Sequence, residues 1–170
     1  MSINEIHGTS KKDILFGKEN QQNDIWGYEG NDKLWGGTLD DVIFGGYGND
    51  KIYAFGGSDI LVGGPGKDKI YGSYFEDNVY SVYMGDFDQY KIKIKKKKTT
   101  INVKSQFSST LNDGKDILRN DVTHLMFADG IYDIQSRNFE PRDSSPGPTP
   151  TPEPTPAPTP APTPEPTPAP

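Results

Sequence analysis

The chain has 170 residues, 32% hydrophobic and 25% charged, with a formal net charge of -6 and no cysteine. This allows one modest core plus unpacked chain, excludes a disulfide framework and thiol chemistry, and offers no basic domain for nucleic acid. No apolar run approaches the roughly 20 residues of a membrane span, and residues 1–20 lack the basic start and apolar stretch of a signal peptide.

Residues 8–26 carry two imperfect windows. GTSKKDILF has Asp13 two places before Leu15, and the ten residues that follow end in Asp24, Ile25 and Trp26. From 27 to 80 the pattern is regular: GYEGNDKLW, GGTLDDVIF, GGYGNDKIY, AFGGSDILV, GGPGKDKIY and GSYFEDNVY. Position six is Asp32, Asp41, Asp50, Asp59, Asp68 and Asp77; position eight is Leu34, Ile43, Ile52, Leu61, Ile70 and Val79. An acid recurring at a fixed place, always two residues before an aliphatic, marks a repeat, and the irregular windows at 8–26 are its terminal units, with Asp13 and Asp24 as candidate ligands.

A six-residue turn followed by a three-residue strand gives a flat coil in which eighteen residues complete one circuit, with strands stacked about 4.8 Å apart. Position eight faces inward and makes a thin aliphatic core. Glycine at positions one, two and four permits positive φ and brings carbonyls together. With the position-six aspartates these carbonyls form an oxygen-rich cage. A hard cation taking six to eight oxygens at about 2.3–2.6 Å suits it, which describes calcium rather than zinc or magnesium. One aliphatic side chain per window is little apolar burial against the entropy of nine ordered residues, and stacked carboxylates repel. The roll is therefore expected to be unfolded without calcium and to bind several ions.

The windows resemble the GGxGxDxUx nonapeptide of RTX (hemolysin-type) calcium-binding proteins. Residues 45–53 and 63–71 fill every consensus position, whereas Leu39 and Phe75 replace the position-four glycine and Ala54 the position-one glycine. The resemblance implies an all-β, right-handed parallel β-roll (β-helix) with calcium between successive turns. Asp32, Asp50 and Asp68 would then line one edge and Asp41, Asp59 and Asp77 the other, with backbone carbonyls of Gly46, Gly48, Gly57, Gly64 and Gly66 as partners.

Position nine reads Trp35, Phe44, Tyr53, Val62, Tyr71 and Tyr80, an outward row expected to cover its neighbours up the stack, with a sugar-stacking platform as the alternative. After residue 80 the period stops. Tyr90, Ile92 and Ile94 alternate with Lys91, Lys93 and Lys95, and Ile101 with Val103, predicting a hairpin that turns near Lys95 and Lys98. The lysines read as a solvated face. The stretch D-G-K-D-I-L followed by F-A-D-G resembles the non-repeat ending of RTX proteins and their secreted metalloproteases. Physically it predicts a small antiparallel β cap covering the open end of the roll. Asp113 and Asp116 read as turn residues that offer a further ion site only as the alternative.

Residues 141–170 are a Pro/Thr-rich tail, expected to be disordered and extended. The expected organisation is a roll over 1–80, a cap over 81–140 and this tail. His7 and His124 are the only histidines, and neither sits in a metalloprotease or nucleophile motif, so no catalysis is expected; His124 reads as a cap residue held by hydrogen bonds. The function expected is that of a monomeric, secreted, calcium-binding accessory module that folds on meeting extracellular calcium. The alternatives are a calcium-dependent adhesin with a cell-surface or glycan partner, and the non-catalytic part of a secreted RTX protease or lipase. The resemblance implies type I export, although the signal that route reads at the carboxy terminus would here be a Pro-rich rod.

Overall fold

The computed structural model describes residues 2–73, 78–95, 98–102, 114–119 and 122–142. The tail beyond 142, Asp77, Val103 and Asp113 lie outside the described residues. Nine short strands build the roll: β1 Asn4–His7, β2 Ile14–Phe16, β3 Asn23–Trp26, β4 Lys33–Trp35, β5 Val42–Phe44, β6 Lys51–Phe55, β7 Ile60–Val62, β8 Lys69–Ser73 and β9 Tyr80–Val82. Odd and even strands separate into two sheets, as a circuit of two windows demands. The order β1-β3-β5-β7-β9 runs up one sheet and β2-β4-β6-β8 up the other, with every neighbouring pair parallel.

Register follows the eighteen-residue circuit through most of the stack: Leu34 pairs with Ile52 and Ile52 with Ile70, and Ile25 with Ile43 and Ile43 with Leu61. These six side chains are fully buried. They form the aliphatic core predicted from position eight. Residues 4–7 add a strand ahead of the windows, where Ile6 pairs with Ile25 and packs against the core.

Six further strands follow: β10 Lys93–Lys95, β11 Lys98–Asn102, β12 Lys115–Arg119, β13 His124–Phe127, β14 Gly130–Asp133 and β15 Asn138–Pro141. The predicted lysine-rich hairpin is present as β10 and β11, with Lys95 paired to Lys98. Two of these strands are not antiparallel cap. β12 lies parallel to β8, pairing Leu118 with Ile70, and β13 lies parallel to β9, pairing Leu125 with Ser81. Leu118 and Leu125 are buried in the same core. The roll therefore gains another coil, drawn from beyond the break in the nine-residue period. Antiparallel pairing begins on the far side of these two strands: β11 and then β10 follow β12 on one sheet, and β14 and then β15 follow β13 on the other.

The cover over the growing end is aromatic. Phe87 stacks on Phe139 at 4.4 Å and on Tyr132 at 5.3 Å, and Tyr83, Tyr90 and Phe127 close the interior beneath them. The F-A-D-G segment forms the β13–β14 turn, in which Asp129 accepts from the Phe87 N–H at 2.8 Å. Among the described residues no helix is long and apolar enough to cross a membrane.

Candidate metal centre

Position six of every coil places a side chain at the junction of turn and strand, and the junctions stack along two edges. One edge carries Asp13, Asp32, Asp50, Asp68 and Asp116. Each residue's main-chain N–H donates to Oδ1 of the next: Asp13 to Asp32 at 2.8 Å, Asp32 to Asp50 and Asp50 to Asp68 at 2.7 Å, and Asp68 to Asp116 at 3.0 Å. On the other edge Asn23 donates to Asp41 at 2.7 Å and Asp41 to Asp59 at 2.9 Å. Asp32, Asp41, Asp50, Asp59, Asp68 and Asp116 are all buried, none more than 2% exposed. A file of buried carboxylates is the reverse of what folding favours unless something positive joins it.

Three observations test whether calcium fits. The Oδ2 atoms of Asp32 and Asp50 are buried and have no hydrogen-bond partner, although buried polar atoms are nearly always satisfied. Burial pushes the Asp50 carboxyl up to about 7; the Asp32 N–H opposes this and the Asp32 charge adds to it. Asp32 and Asp41 are raised for the same leading reason. These carboxyls therefore want either a proton or a cation. Finally, the turns are built for close backbone approach. Gly30, Gly48, Gly66 and Gly114 form a column of positive φ in which a methyl on Gly48, Gly66 or Gly114 would meet the preceding glycine's carbonyl oxygen at 1.5, 1.5 and 1.4 Å.

Gly46 and Gly64 continue the pattern at position two, and Gly57 packs as closely against the Leu39 carbonyl. Among the described residues no three acidic, histidine or cysteine side chains cluster as a cage. An ion at these turns must draw on backbone carbonyls as well as carboxylates, which is how calcium differs from zinc in its choice of ligands.

Residues 21–43 and 35–70 match the family model for the RTX calcium-binding nonapeptide repeat, in four copies. Residues 21–70 are RTX calcium-binding repeats. No curated protein matches the chain. The RTX match ends at residue 70, so the coil made by β12 and β13 lies beyond it.

The register differs from the sequence reading at three places. Asn23, not Asp24, occupies position six of its coil: Ile25 is the inward residue, and Asp24 pairs with Val42 at position seven. The ten-residue spacing of that window hid the substitution of amide for acid. Asn23 Oδ1 accepts from Lys18 N–H, and its amide donates to Asp41 at 2.8 Å, which anchors this end of the edge without a charge.

The sixth window is also out of step. Ile60 pairs with Tyr80 and Leu61 with Ser81, so Val79 stands at position six and Tyr80 at position seven. Residues 74–77, which precede the slipped segment, lie outside the described residues. Above Val79 the acceptor is a hydroxyl: Thr123 Oγ1 takes the Val79 N–H at 3.0 Å. Asp116 is the residue that the reading undervalued. The signal was present in its G-K-D-I-L context, which repeats positions four to eight of the window.

The outer faces carry the aromatic rows. Phe16, Trp35, Tyr53 and Tyr71 stack at 4.6, 5.2 and 4.5 Å with planes within 14° of parallel. On the opposite sheet His7 lies on Trp26 at 4.6 Å and Trp26 on Phe44 at 6.1 Å. Trp35, Tyr53 and Trp26 each lie between two stacked neighbours, the arrangement expected of rings that thicken a thin roll, while the end ring Phe16 is 63% exposed. His124 stacks on Tyr80 and bridges Thr123 Oγ1 at 2.8 Å and Asp133 Oδ2 at 3.3 Å, as a hydrogen-bonded cap residue.

Proposed function

We propose that this RTX module folds when it meets calcium outside the cell and serves there as a non-catalytic accessory domain. The observation that carries the reading is the file of buried aspartates whose Oδ2 atoms at Asp32 and Asp50 have no partner. The carboxylates at position six and the carbonyls of Gly46, Gly48, Gly57, Gly64 and Gly66 would hold the ions. Calcium would supply the positive charge that lets the file ionise while buried, which links binding to folding. Extracellular calcium modules work at about 10⁻⁴–10⁻³ M, a level that separates the outside of a cell from its interior.

The test is far-ultraviolet circular dichroism during a calcium titration from chelator. Strand content should rise with calcium and with no other change of condition; equal strand content in chelator and in calcium would refute the reading. The adhesin alternative gains less support, because the inner rings Trp26, Trp35 and Tyr53 are each stacked between two neighbours.

A further inference from the structure

The turn formed by residues 63–68 is followed, in the sequence, by no further turn on its edge, yet in the fold it has one. Residues 114–119 supply it. Gly114 has φ +66, and a methyl there would sit 1.4 Å from the Gly66 carbonyl, matching the 1.5 Å approach of Gly66 to Gly48. The Lys115 N–H donates to the Gly66 carbonyl at 3.0 Å and the Ile117 N–H to the Asp68 carbonyl at 2.8 Å. The latter matches the Lys69-to-Asp50 bond one coil below, at 2.9 Å. Asp116 is 2% exposed and accepts from the Asp68 N–H. Gly114, Asp116 and Leu118 thus reproduce positions four, six and eight of a repeat, across a gap of 48 residues from Asp68 to Asp116.

We propose that residues 114–116 complete a calcium site with the 63–68 turn, so that an ion clasps a segment remote in sequence onto the end of the roll. The inference rests on the calcium reading above. It adds a site outside the matched RTX span, and a consequence: the last coil and the strands beyond it are fastened by the metal as well as by Leu118 and Leu125. Among the described residues the other edge carries Val79 and Thr123, not aspartates, at position six of these coils.

The experiment is a calcium count by equilibrium dialysis on the full chain, with amide hydrogen exchange as a second readout. Asp116→Asn keeps an oxygen for the Asp68 N–H but removes the charge. It should bind one ion fewer than the unaltered chain. Its amides at 115–119 and 124–127 should exchange at least tenfold faster in calcium, while those of the 33–62 strands keep their protection. Gly114→Ala keeps the carboxylate but holds the segment off the Gly66 carbonyl, and should show the same loss. Leu118→Ala loosens the same segment without touching the ligands; it should speed exchange there and leave the ion count unchanged. Full ion counts in both Asp116→Asn and Gly114→Ala would overturn the clasp while leaving the calcium reading intact. An unaltered chain that takes up no calcium would overturn both.

Discussion

The Asp50 N–H donates to Asp68 Oδ1 at 2.7 Å, while Asp50 Oδ1 accepts from the Asp32 N–H at the same distance. One residue therefore joins three coils, with its second carboxylate oxygen buried and unpaired. Replacing it tests charge and hydrogen bonding separately. Asp50→Asn keeps the oxygen that Asp32 needs and removes a buried charge, so it should be more stable than the unaltered chain in chelator and less stable in saturating calcium. Asp50→Ala removes the acceptor as well and should lose about 1–3 kcal/mol relative to Asp50→Asn in calcium. Strand content by circular dichroism in chelator and urea unfolding in saturating calcium check the two signs; a shift in the same direction in both media would contradict the argument.

Calcium and protons compete for the same oxygens. Asp50 is raised from 3.8 to about 7 in the metal-free fold, chiefly by burial. A carboxyl whose folded pKa lies above its unfolded value stabilises the fold fully below the unfolded value and loses that stabilisation as pH rises through the folded one. Without metal the roll should thus be most stable in acid and weaken between about pH 4 and 7. Calcium affinity should run the other way and fall as pH drops below 7, because the ion must displace a proton. Circular dichroism against pH in chelator, paired with calorimetric calcium titrations at pH 6 and 8, measures both trends.

Gly48 has φ +141, and a methyl group there would lie 1.5 Å from the Gly30 carbonyl. Gly48→Ala must push two coils apart at the turn, a change expected to cost about 3 kcal/mol or more. Its calcium midpoint should rise at least tenfold, measured by the same titration that follows folding.

Phe55 and Tyr28 take the position-two conformation without being glycine, at φ 74 and 72. Phe55 is also 42% exposed, so its side chain adds little burial. At this site glycine should be more stable than alanine by about 1 kcal/mol, the reverse of the usual order. Thermal melts of Phe55→Gly and Phe55→Ala in calcium decide it.

Trp35 lies between Phe16 at 4.6 Å and Tyr53 at 5.2 Å. Trp35→Ala removes two stacks, each worth about 0.5–1.5 kcal/mol beyond area burial. It should lower stability in calcium by more than the roughly 1–3 kcal/mol of the two stacks, since the burial of a half-buried ring is lost as well, and leave the number of bound ions unchanged. A change in ion number would mean that the aromatic column shapes the turns as well as covering the sheet.

The period, the two sheets, the inward aliphatic file and the oxygen chemistry of the turns are legible in the residues alone. Each nine-residue window encodes its own turn and strand, so Asp32, Leu34 and their counterparts could be placed without reference to the rest of the chain. Register where that local code fails was decided only by the tertiary structure. Asn23 rather than Asp24 enters the file, because the inward position of Ile25 fixes its coil. Val79 and Tyr80 slip by two, because strand pairing seats Ser81 rather than Val79 beside Leu61. Asp116 joins Asp68, because strand pairing and Leu118 burial bring in a segment that no periodicity links to it. Local turns follow from residue type and spacing; contact between distant segments follows from which edge and which core face remain open.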